Sequence, residues 1–403
     1  MKKRRSLWAL WGLCLLGTCF LSSCGDPDQP IGDMKWEVIL PEGLIVTPEV
    51  PAAASVYSAR RLCIQDLDLP GELLHGETED EQVWATSVEF WSTWEESNSR
   101  EVLVVYDNGM AFGSRPVTAS TGSFSYSLWD GENAKAVPYE NVCSIGALGQ
   151  DWKEQEPWDQ NGDFTQTDLD FLPLQEAQQS VISRFAGWDV TLIPHDSLAL
   201  DVDTLNEHQQ LFEQVQEEWN AAQQEEEDPD GYEEKMWQKE EEAYALRFRQ
   251  VVDGIPVVDR GWIPLSDSGR STAYHTEVTA LADRQGVFWL DAVSLLQVGE
   301  EVTEGSVLSA QEAYSRLVQY CEQNRMSTDR WSVLQGELMY APLFCGDEVT
   351  EELELVPVWL FTMQENYVIT DETTGETREV TDISYLTFQA FSGEILTTAF
   401  QGV

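Results

Sequence analysis

The stretch Ser309-Ala310-Gln311-Glu312-Ala313 predicts the start of an amphipathic helix and decides the fold of the C-terminal part of the chain. Ser309 and Glu312 have the spacing of a capping box, in which the hydroxyl and the carboxylate satisfy free amides at the helix start. One face then carries apolar residues at helical spacing, namely Ala313, Leu317, Val318 and Cys321. Strand-like segments follow at residues 333–343, 353–363 and 383–391, and the sequence Ser392-Gly393-Glu394-Ile395 closes the last of them.

A similar order of elements occurs earlier in the chain. Pro173-Leu174-Gln175-Glu176-Ala177 opens a helical pattern, and its apolar face consists of Ala177, Val181, Ile182 and Phe185. Strand-like segments follow at residues 244–252 and 287–296. Two copies of a helix followed by strands predict an α+β fold of antiparallel sheets, each packed by one helix, with units at residues 168–300 and 301–403.

These two units resemble PepSY-type domains. The resemblance rests on a helix begun by S-x-x-E-A, on a last strand closing in F-S-G-E-I-L, and on V-D-G-I-P-V at residues 252–257. Two such units in series are similar to the YycI and YycH regulatory proteins of Gram-positive envelopes. The resemblance covers about residues 168–403, implies a regulatory role and supplies no catalytic residues. Those relatives are held in the membrane by a transmembrane helix, and this chain departs from them in that respect.

The first residues have the pattern of a bacterial lipoprotein signal peptide, predicted for residues 1–23. Lys2, Lys3, Arg4 and Arg5 precede an apolar stretch at residues 7–21, and Leu21-Ser22-Ser23-Cys24 resembles a lipobox. The resemblance implies that Cys24 is lipidated. The mature chain is then expected to be anchored by lipid on the extracytoplasmic face of the cell membrane, in a Gram-positive-type envelope. The alternative is an ordinary signal peptide that happens to end near a cysteine.

Two further regions are predicted between the anchor and the repeats. Residues 24–55 contain five prolines and predict an extended spacer. Residues 56–150 predict a β-rich N-terminal region, because Asn108-Gly109 separates two apolar runs as in a hairpin. Phe124, Tyr126 and Leu128 alternate with serines and predict a half-buried strand.

An acidic insertion at residues 206–242 interrupts the first repeat. It predicts two polar helices, at residues 207–227 and 233–245, separated by Asp228-Pro229-Asp230-Gly231. Leu211, Val215 and Trp219 give the first helix a thin apolar stripe. The insertion is either a docking arm for a basic partner or a solvated helical hairpin laid on the sheet.

The charge of the chain limits its partners. The sequence has 72 acidic against 23 basic residues and a net charge of −49. This composition excludes nucleic acid, whose binding needs clustered Lys and Arg. Of the seven cysteines, Cys63, Cys143, Cys321 and Cys345 are expected to remain after export and lipidation. Either Cys321 pairs with Cys345 or all four are buried free thiols.

One acidic loop has the ligand spacing of a calcium site. Asp159, Asn161, Asp163, Thr165 and Asp170 occupy positions 1, 3, 5, 7 and 12 of a twelve-residue loop, as in an EF-hand. Phe164 stands at the sixth position, where the sharp turn favours glycine. Calcium is therefore the one cofactor considered, and the alternative is an ordinary acidic loop.

The sequence patterns favour a function without catalysis. None of the four histidines is part of a metalloprotease motif, and the chain has neither a hydrolase nucleophile elbow nor a phosphate-binding loop. We therefore expect a membrane-tethered regulatory or protein-interaction module whose partner is an envelope protein or peptide. The alternatives are a carbohydrate- or calcium-binding surface lipoprotein, with Trp84, Phe90, Trp91 and Trp94 as an aromatic platform, and an envelope hydrolase that uses a carboxylate pair.

A calcium titration tests the loop at residues 159–170. A ligand that binds the folded state selectively raises the melting temperature, by an amount that grows with the ligand concentration. A calcium site would make added calcium raise the melting temperature of the protein, as followed by circular dichroism, whereas an ordinary acidic loop would leave it unchanged. A melting temperature that stays constant across the titration would remove the calcium site.

Overall fold

The computed structural model describes residues 36–62, 86–90, 99–105, 110–117, 121–130, 133–143, 163–223, 235–259, 276–293, 295–344, 352–370 and 377–398. The chain has an α+β fold of mostly antiparallel sheets with a few helices, as predicted. In chain order its elements are β1 (Ala53–Arg61), β2 (Thr86–Phe90), β3 (Ser99–Val105), β4 (Met110–Val117), β5 (Thr121–Asp130), β6 (Asn133–Ala134), α1 (Val137–Val142), α2 (Leu174–Ile182), β7 (Leu192–Leu200), α3 (Val202–Gln223), β8 (Ala243–Val252), β9 (Ile255–Pro256), β10 (Glu277–Asp283), β11 (Gly286–Val293), β12 (Leu296–Ser306), α4 (Ala310–Gln323), β13 (Trp331–Phe344), β14 (Glu352–Thr370), β15 (Thr377–Gln389) and β16 (Ile395–Thr398).

The first sheet has the strand order β2-β3-β4-β5-β11-β10-β8-β7. Helix α2 and the 3₁₀ helix Ser183–Trp188 that follows it cover one face, where Ala177, Val181 and Phe185 are fully buried. These are residues of the predicted apolar face. The opposite face packs against α1 and α3. Helices therefore pack on both faces of the part of the sheet formed by β7, β8, β10 and β11, whereas the sequence predicted one helix and an insertion that was either a docking arm or a helical hairpin laid on the sheet.

The second sheet has the strand order β12-β1-β14-β15-β16, and β13 also pairs with β14. Helix α4 begins with the predicted capping box, because the Ser309 side chain accepts a hydrogen bond from the Glu312 amide and the Glu312 carboxylate accepts one from the Ser309 amide. Its buried face contains the four predicted residues Ala313, Leu317, Val318 and Cys321. They share one core with Trp359, Phe361 and other residues of the second sheet.

The predicted β-rich region at residues 56–150 contains most of β1 and all of β2 to β6, and its described strands pair with strands of both later units. Strand β1 pairs with β12 and β14 of the second sheet. The hairpin of β3 and β4 is confirmed, and β5 connects it to β11 of the first sheet. The predicted boundary at residue 300 also falls inside β12, which belongs to the second sheet. Backbone groups at strand edges need partners, and these long-range pairings supply them.

The predicted spacer is shorter than residues 24–55. Trp36, Leu44 and Ala54 are buried in the core of the second sheet. The prolines at positions 41, 48 and 51 indicated an extended chain, whereas the docked chain turns at Glu42–Gly43, where the Leu44 amide donates to the Pro41 carbonyl oxygen over 3.3 Å. An extended backbone can lie on a sheet edge as well as in solvent, so composition alone did not distinguish the two.

The acidic insertion is only partly helical. Helix α3 begins at Val202, earlier than predicted, because the Asp201 carboxylate accepts hydrogen bonds from the Thr204 amide and hydroxyl. The buried stripe consists of Leu205, His208, Gln209 and Phe212, whereas Leu211 is 39% exposed. The predicted stripe was therefore wrong in register.

The second predicted helix of the insertion, at residues 233–245, is wrong over its described part. Residues 235–238 are irregular, a 3₁₀ turn spans Lys239–Glu241, and β8 begins at Ala243. The reason is the burial of Trp237, which is 2% exposed. Its indole donates a hydrogen bond to the Gln209 side chain, and its backbone amide donates one to the Asn206 side chain.

Two cysteines lie in the described part of the chain. Cys143 and Cys321 are buried free thiols, and burial raises the pKa of Cys321 to about 12. Cys63 and Cys345 lie outside the described residues. Among the helices of the described residues, none is long and apolar enough to cross a membrane.

The neighbouring residues Met236 and Trp237 provide a matched test of the packing of α3. Replacing Trp237 by Ala leaves a cavity between α3 and the first sheet, and we expect the free energy of unfolding to fall by about 3 to 5 kcal/mol. Met236 is 76% exposed, so the control Met236→Ala should change the free energy by less than about 0.5 kcal/mol. Urea unfolding followed by tryptophan fluorescence and circular dichroism measures both. Equal effects of the two substitutions would contradict the packing described here.

Candidate functional site

A cluster of charged side chains lies where the two sheets meet, and it begins with two arginines of β8. Arg247 and Arg249 are two residues apart, so they point to the same face of the strand. They are 0% and 5% exposed, although charged side chains are almost never fully buried unless they are paired. Each arginine therefore needs carboxylate partners inside the protein.

Arg249 connects the two sheets. Its Nε atom lies 2.6 Å from Asp259 Oδ2, and its Nη1 atom lies 2.8 Å from Glu337 Oε1. Glu337 belongs to β13 of the second sheet, whereas Arg249 belongs to the first. Burial lowers the pKa of the Arg249 guanidinium, but the carboxylates of Asp259 and Glu337 outweigh this effect and raise it. Arg249 is thus held as a cation between the sheets.

Arg247 gathers the remaining members of the cluster. Its Nε atom pairs with the Glu277 carboxylate at the start of β10, and its Nη2 atom lies 3.6 Å from Asp259 Oδ2. Asp196 of β7 lies 3.9 Å from Nη1. The Nε2 atom of His195 is 3.3 Å from Asp196 Oδ2 and 3.7 Å from Asp259 Oδ2. The cluster therefore joins β7, β8, β10 and β13.

The pKa of Glu277 is raised by its position in the cluster. Burial raises its pKa to about 7, and the negative charges of Asp259 and Asp291 add to this effect. Arg247 opposes the shift but does not cancel it. Glu277 can therefore gain or lose a proton near neutral pH, while the arginines keep the neighbouring carboxylates engaged in ion pairs.

A second candidate site is the groove between α4 and the outer edge of β13, which holds residues 36–47. We call these residues the N-terminal segment. The Trp36 indole donates a hydrogen bond to the Met326 carbonyl oxygen over 2.8 Å. The Gln311 side chain donates to the carbonyl oxygen of Val38 over 2.8 Å and accepts from the amide of Leu40 over 3.1 Å. One side-chain amide thus binds the backbone at two positions.

The edge of β13 binds the far end of the same segment. The Val46 amide donates to the Gly336 carbonyl oxygen over 3.0 Å, and the Gly336 amide donates to the Leu44 carbonyl oxygen over 2.9 Å. Gly336 is required for this approach, because a Cβ atom there would come within 2.6 Å of the Phe361 ring and 2.9 Å of Ile45 Cδ1. Further along β13, the Val258 amide donates to the Tyr340 carbonyl oxygen over 2.9 Å. The edge of β13 therefore accepts two extended segments of the chain itself.

The described residues of the predicted calcium loop have separate partners. Asp163 Oδ2 lies 3.3 Å from His208 Nε2, and Asp170 Oδ2 lies 3.2 Å from Lys239 Nζ. The Thr165 hydroxyl is 2.7 Å from that of Thr167. Phe164 is buried, with its ring 4.6 Å from that of His208. Among the residues that the structure describes, no group of three or more His, Cys, Asp or Glu side chains could hold a metal ion.

Several predicted residues lie outside the described part of the chain. They are Cys24, Asp159, Asn161, Trp84, Trp91 and Trp94. The calcium site and the lipidated cysteine therefore stay predictions. In contrast, the sequence interpretation missed Arg247, Arg249, Asp259 and Glu337. Their signal was the pattern of two arginines spaced by two residues within an otherwise apolar strand, which indicates buried cations that need acidic partners.

Comparison with known proteins indicates the fold alone. No family model matches the chain, and no curated protein gives a significant match. The solved structure of an uncharacterized protein from Eubacterium rectale ATCC 33656 is similar, with a TM-score of 0.57 and 14% sequence identity. The match covers 88% of this chain and 88% of that chain. The architecture described here therefore occurs in a second protein.

The raised pKa of Glu277 predicts how the stability depends on pH. The folded protein holds a proton on Glu277 at pH values between 4.5, its ordinary pKa, and about 7, where the unfolded chain has lost it. Glu277 therefore makes the free energy of unfolding fall as the pH rises through this range, by up to about 3 kcal/mol. We expect Glu277→Gln to remove this part of the fall, as measured by urea unfolding at pH 5 and pH 7.5.

The control for this experiment is Glu379→Gln, which removes an exposed carboxyl of the second sheet. The comparison is between the pH 5 to pH 7.5 difference of each variant and that of the unsubstituted protein. A difference that is the same for Glu277→Gln as for the unsubstituted protein would show that Glu277 does not titrate in this range.

Proposed function

We propose that the chain is an extracytoplasmic lipoprotein, tethered through Cys24, that acts as a non-catalytic regulatory or protein-interaction module built on two PepSY-like units. The observation that carries the proposal is the binding of extended segments at the outer edge of β13. Addition of a strand to a sheet edge is a recurring way in which proteins bind peptides, because the main-chain hydrogen bonds supply affinity.

The charged cluster supports a role without catalysis. A general base or nucleophile must reach a substrate, and Asp259, to which both Arg247 and Arg249 bind, has a fully buried side chain. The clefts of about 570 Å³ and 280 Å³ have none of the cluster residues in their walls. A junction of buried ion pairs that joins two sheets fits a protein whose function is to bind another protein.

The charge of the chain favours a protein partner over the lipid surface. A net charge of −49 opposes close approach to anionic headgroups. The lipid at Cys24 would then hold the body near the membrane without adhesion of the body itself. Partners within reach are the outer parts of membrane proteins and envelope peptides, and those with neutral or basic contact surfaces fit best.

Cross-linking in intact cells of the source organism tests both parts of the proposal. The full chain and its Cys24→Ala variant are produced at equal levels, and cells are supplied with a clickable fatty acid. We expect the unsubstituted chain to carry the fatty acid, to fractionate with membranes and to cross-link to the same envelope protein or peptide in repeated experiments. Cys24→Ala should lose the fatty acid and most of the cross-link, because tethering raises the local concentration of the partner.

The outcomes distinguish the two parts. An unsubstituted chain that carries no fatty acid and stays out of the membrane fraction would disprove the tether. A chain that is acylated but gives no reproducible cross-link would remove the support for an interaction role. An unrelated lipoprotein of similar acidity, treated in parallel, identifies cross-links that depend on charge alone.

A further inference from the structure

We propose that the groove between α4 and the edge of β13 is a peptide-binding site, which the N-terminal segment occupies in cis and from which a segment of a partner with the same backbone conformation displaces it. The inference deepens the proposed function, on which it rests, by naming the surface and the kind of ligand. The occupant is a peptide with a tryptophan at its start, a turn, and a branched aliphatic residue eight or nine positions after the tryptophan, as the N-terminal segment has in Trp36, Leu44 and Ile45 and in its turn at Glu42–Gly43.

The groove binds mainly the backbone of the segment. Gln311 contacts the backbone of Val38 and Leu40, and Gly336 contacts that of Leu44 and Val46. These contacts are available to any peptide with the same backbone conformation, since every non-proline residue carries the same donor and acceptor. The site can therefore accept a different chain of similar conformation.

Selectivity comes from the pocket that holds the Trp36 side chain. Trp36 is 9% exposed and belongs to the same core as Cys321, Met326 and Trp331. The bond from its indole to the Met326 carbonyl requires a donor on the aromatic ring, which tryptophan has and phenylalanine lacks. Large aromatic side chains in such pockets commonly dominate the affinity of an interface.

The segment is anchored by buried residues and exposed between and beyond them. Trp36 and Leu44 are buried, whereas Val38 and Ile39 are 57% and 78% exposed, and Val46 is 44% exposed. On its other side, β13 pairs with β14 along nearly its whole length, from Trp331 to Phe344. A segment at a strand edge, with exposed residues between its buried anchors, opens at a lower free energy than a central strand. The segment also joins β1 through residues 48–52, which include Pro48 and Pro51.

Displacement of the N-terminal segment would change the length of chain between the proposed lipid anchor and the body of the protein. Residues 24–35 lead directly from the proposed lipid anchor to Trp36. Release of residues 36–47 would lengthen the chain between the anchor and the body by up to about 40 Å. A partner peptide in the groove would therefore let the body move farther from the membrane.

A peptide-binding measurement tests the groove without knowledge of the partner. The probe is a fluorescein-labelled synthetic peptide with the sequence of residues 35–48, and the protein is the soluble chain from Gly25 to Val403. Fluorescence polarisation gives its affinity for the unsubstituted chain and for Trp36→Ala. Removal of Trp36 weakens the competing segment of the chain, so we expect the peptide to bind Trp36→Ala at least about tenfold more tightly.

Three further arms make this result specific. A probe peptide in which the tryptophan is replaced by alanine should lose most of its affinity for Trp36→Ala. Adding Gln311→Ala to Trp36→Ala should weaken probe binding about tenfold, because two hydrogen bonds to the peptide backbone are lost. Adding Gln319→Ala instead, which removes an exposed glutamine of the same helix, should leave the affinity unchanged.

Equal affinity of the probe for the unsubstituted chain and for Trp36→Ala would overturn the inference, as would absence of binding to a Trp36→Ala chain that shows cooperative thermal unfolding. If Trp36→Ala does not fold, hydrogen exchange of the unsubstituted chain tests whether the N-terminal segment can be displaced. Amides of residues 44–47 that exchange as slowly as those of β14 would overturn displacement, and much faster exchange would support it. A dimer formed by exchange of N-terminal segments would also overturn the inference, because the occupant would then be a second copy of this chain. The cross-linking result above is independent of all these outcomes.

Discussion

The buried guanidinium of Arg249 is the constraint on which the arrangement of the two sheets depends. A cation inside a protein is tolerated only where carboxylates compensate for lost hydration. Asp259 and Glu337 do so here, and one of them belongs to each side of the junction. The position of β8 relative to β13 is therefore fixed by charge as well as by packing. Apolar contacts alone would allow the sheets to slide, since such contacts have little directionality.

The edge of β13 shows how the fold manages exposed backbone. An unpaired strand edge is a template for association with other chains. In this protein the N-terminal segment covers one part of the edge, and Val257 and Val258 cover another. The chain thereby prevents uncontrolled pairing at an edge that is competent to pair. The proposed binding site uses the same property, because an edge covered by a weakly held segment can be uncovered.

The interior of the chain holds charged groups of both signs. Arg247 and Arg249 are buried although the sequence has only 23 basic against 72 acidic residues, and the carboxylates of Asp259 and Glu337 are buried with them. The junction therefore removes carboxylates as well as arginines from the acidic surface. Helix α3 contributes Glu207 to this surface, while its inner face holds Leu205 and Phe212 in the core. The acidic insertion therefore contributes to the core on one face of the first sheet as well as to the charged surface.

Local patterns in the sequence determined the elements that depend on neighbouring residues. The capping box at Ser309 and Glu312, the apolar faces of α2 and α4 and the hairpin of β3 and β4 all follow from spacings of a few residues, and the structure contains them. Trp36 and Met326 are 290 residues apart, and no local pattern pairs them. The burial of Trp237, which replaced a predicted helix, depends likewise on Asn206 and Gln209 of α3. Tertiary structure alone decided the docking of the N-terminal segment, the register of the α3 stripe and the ion pairs of Arg249, because each requires desolvation of side chains by residues distant in the sequence.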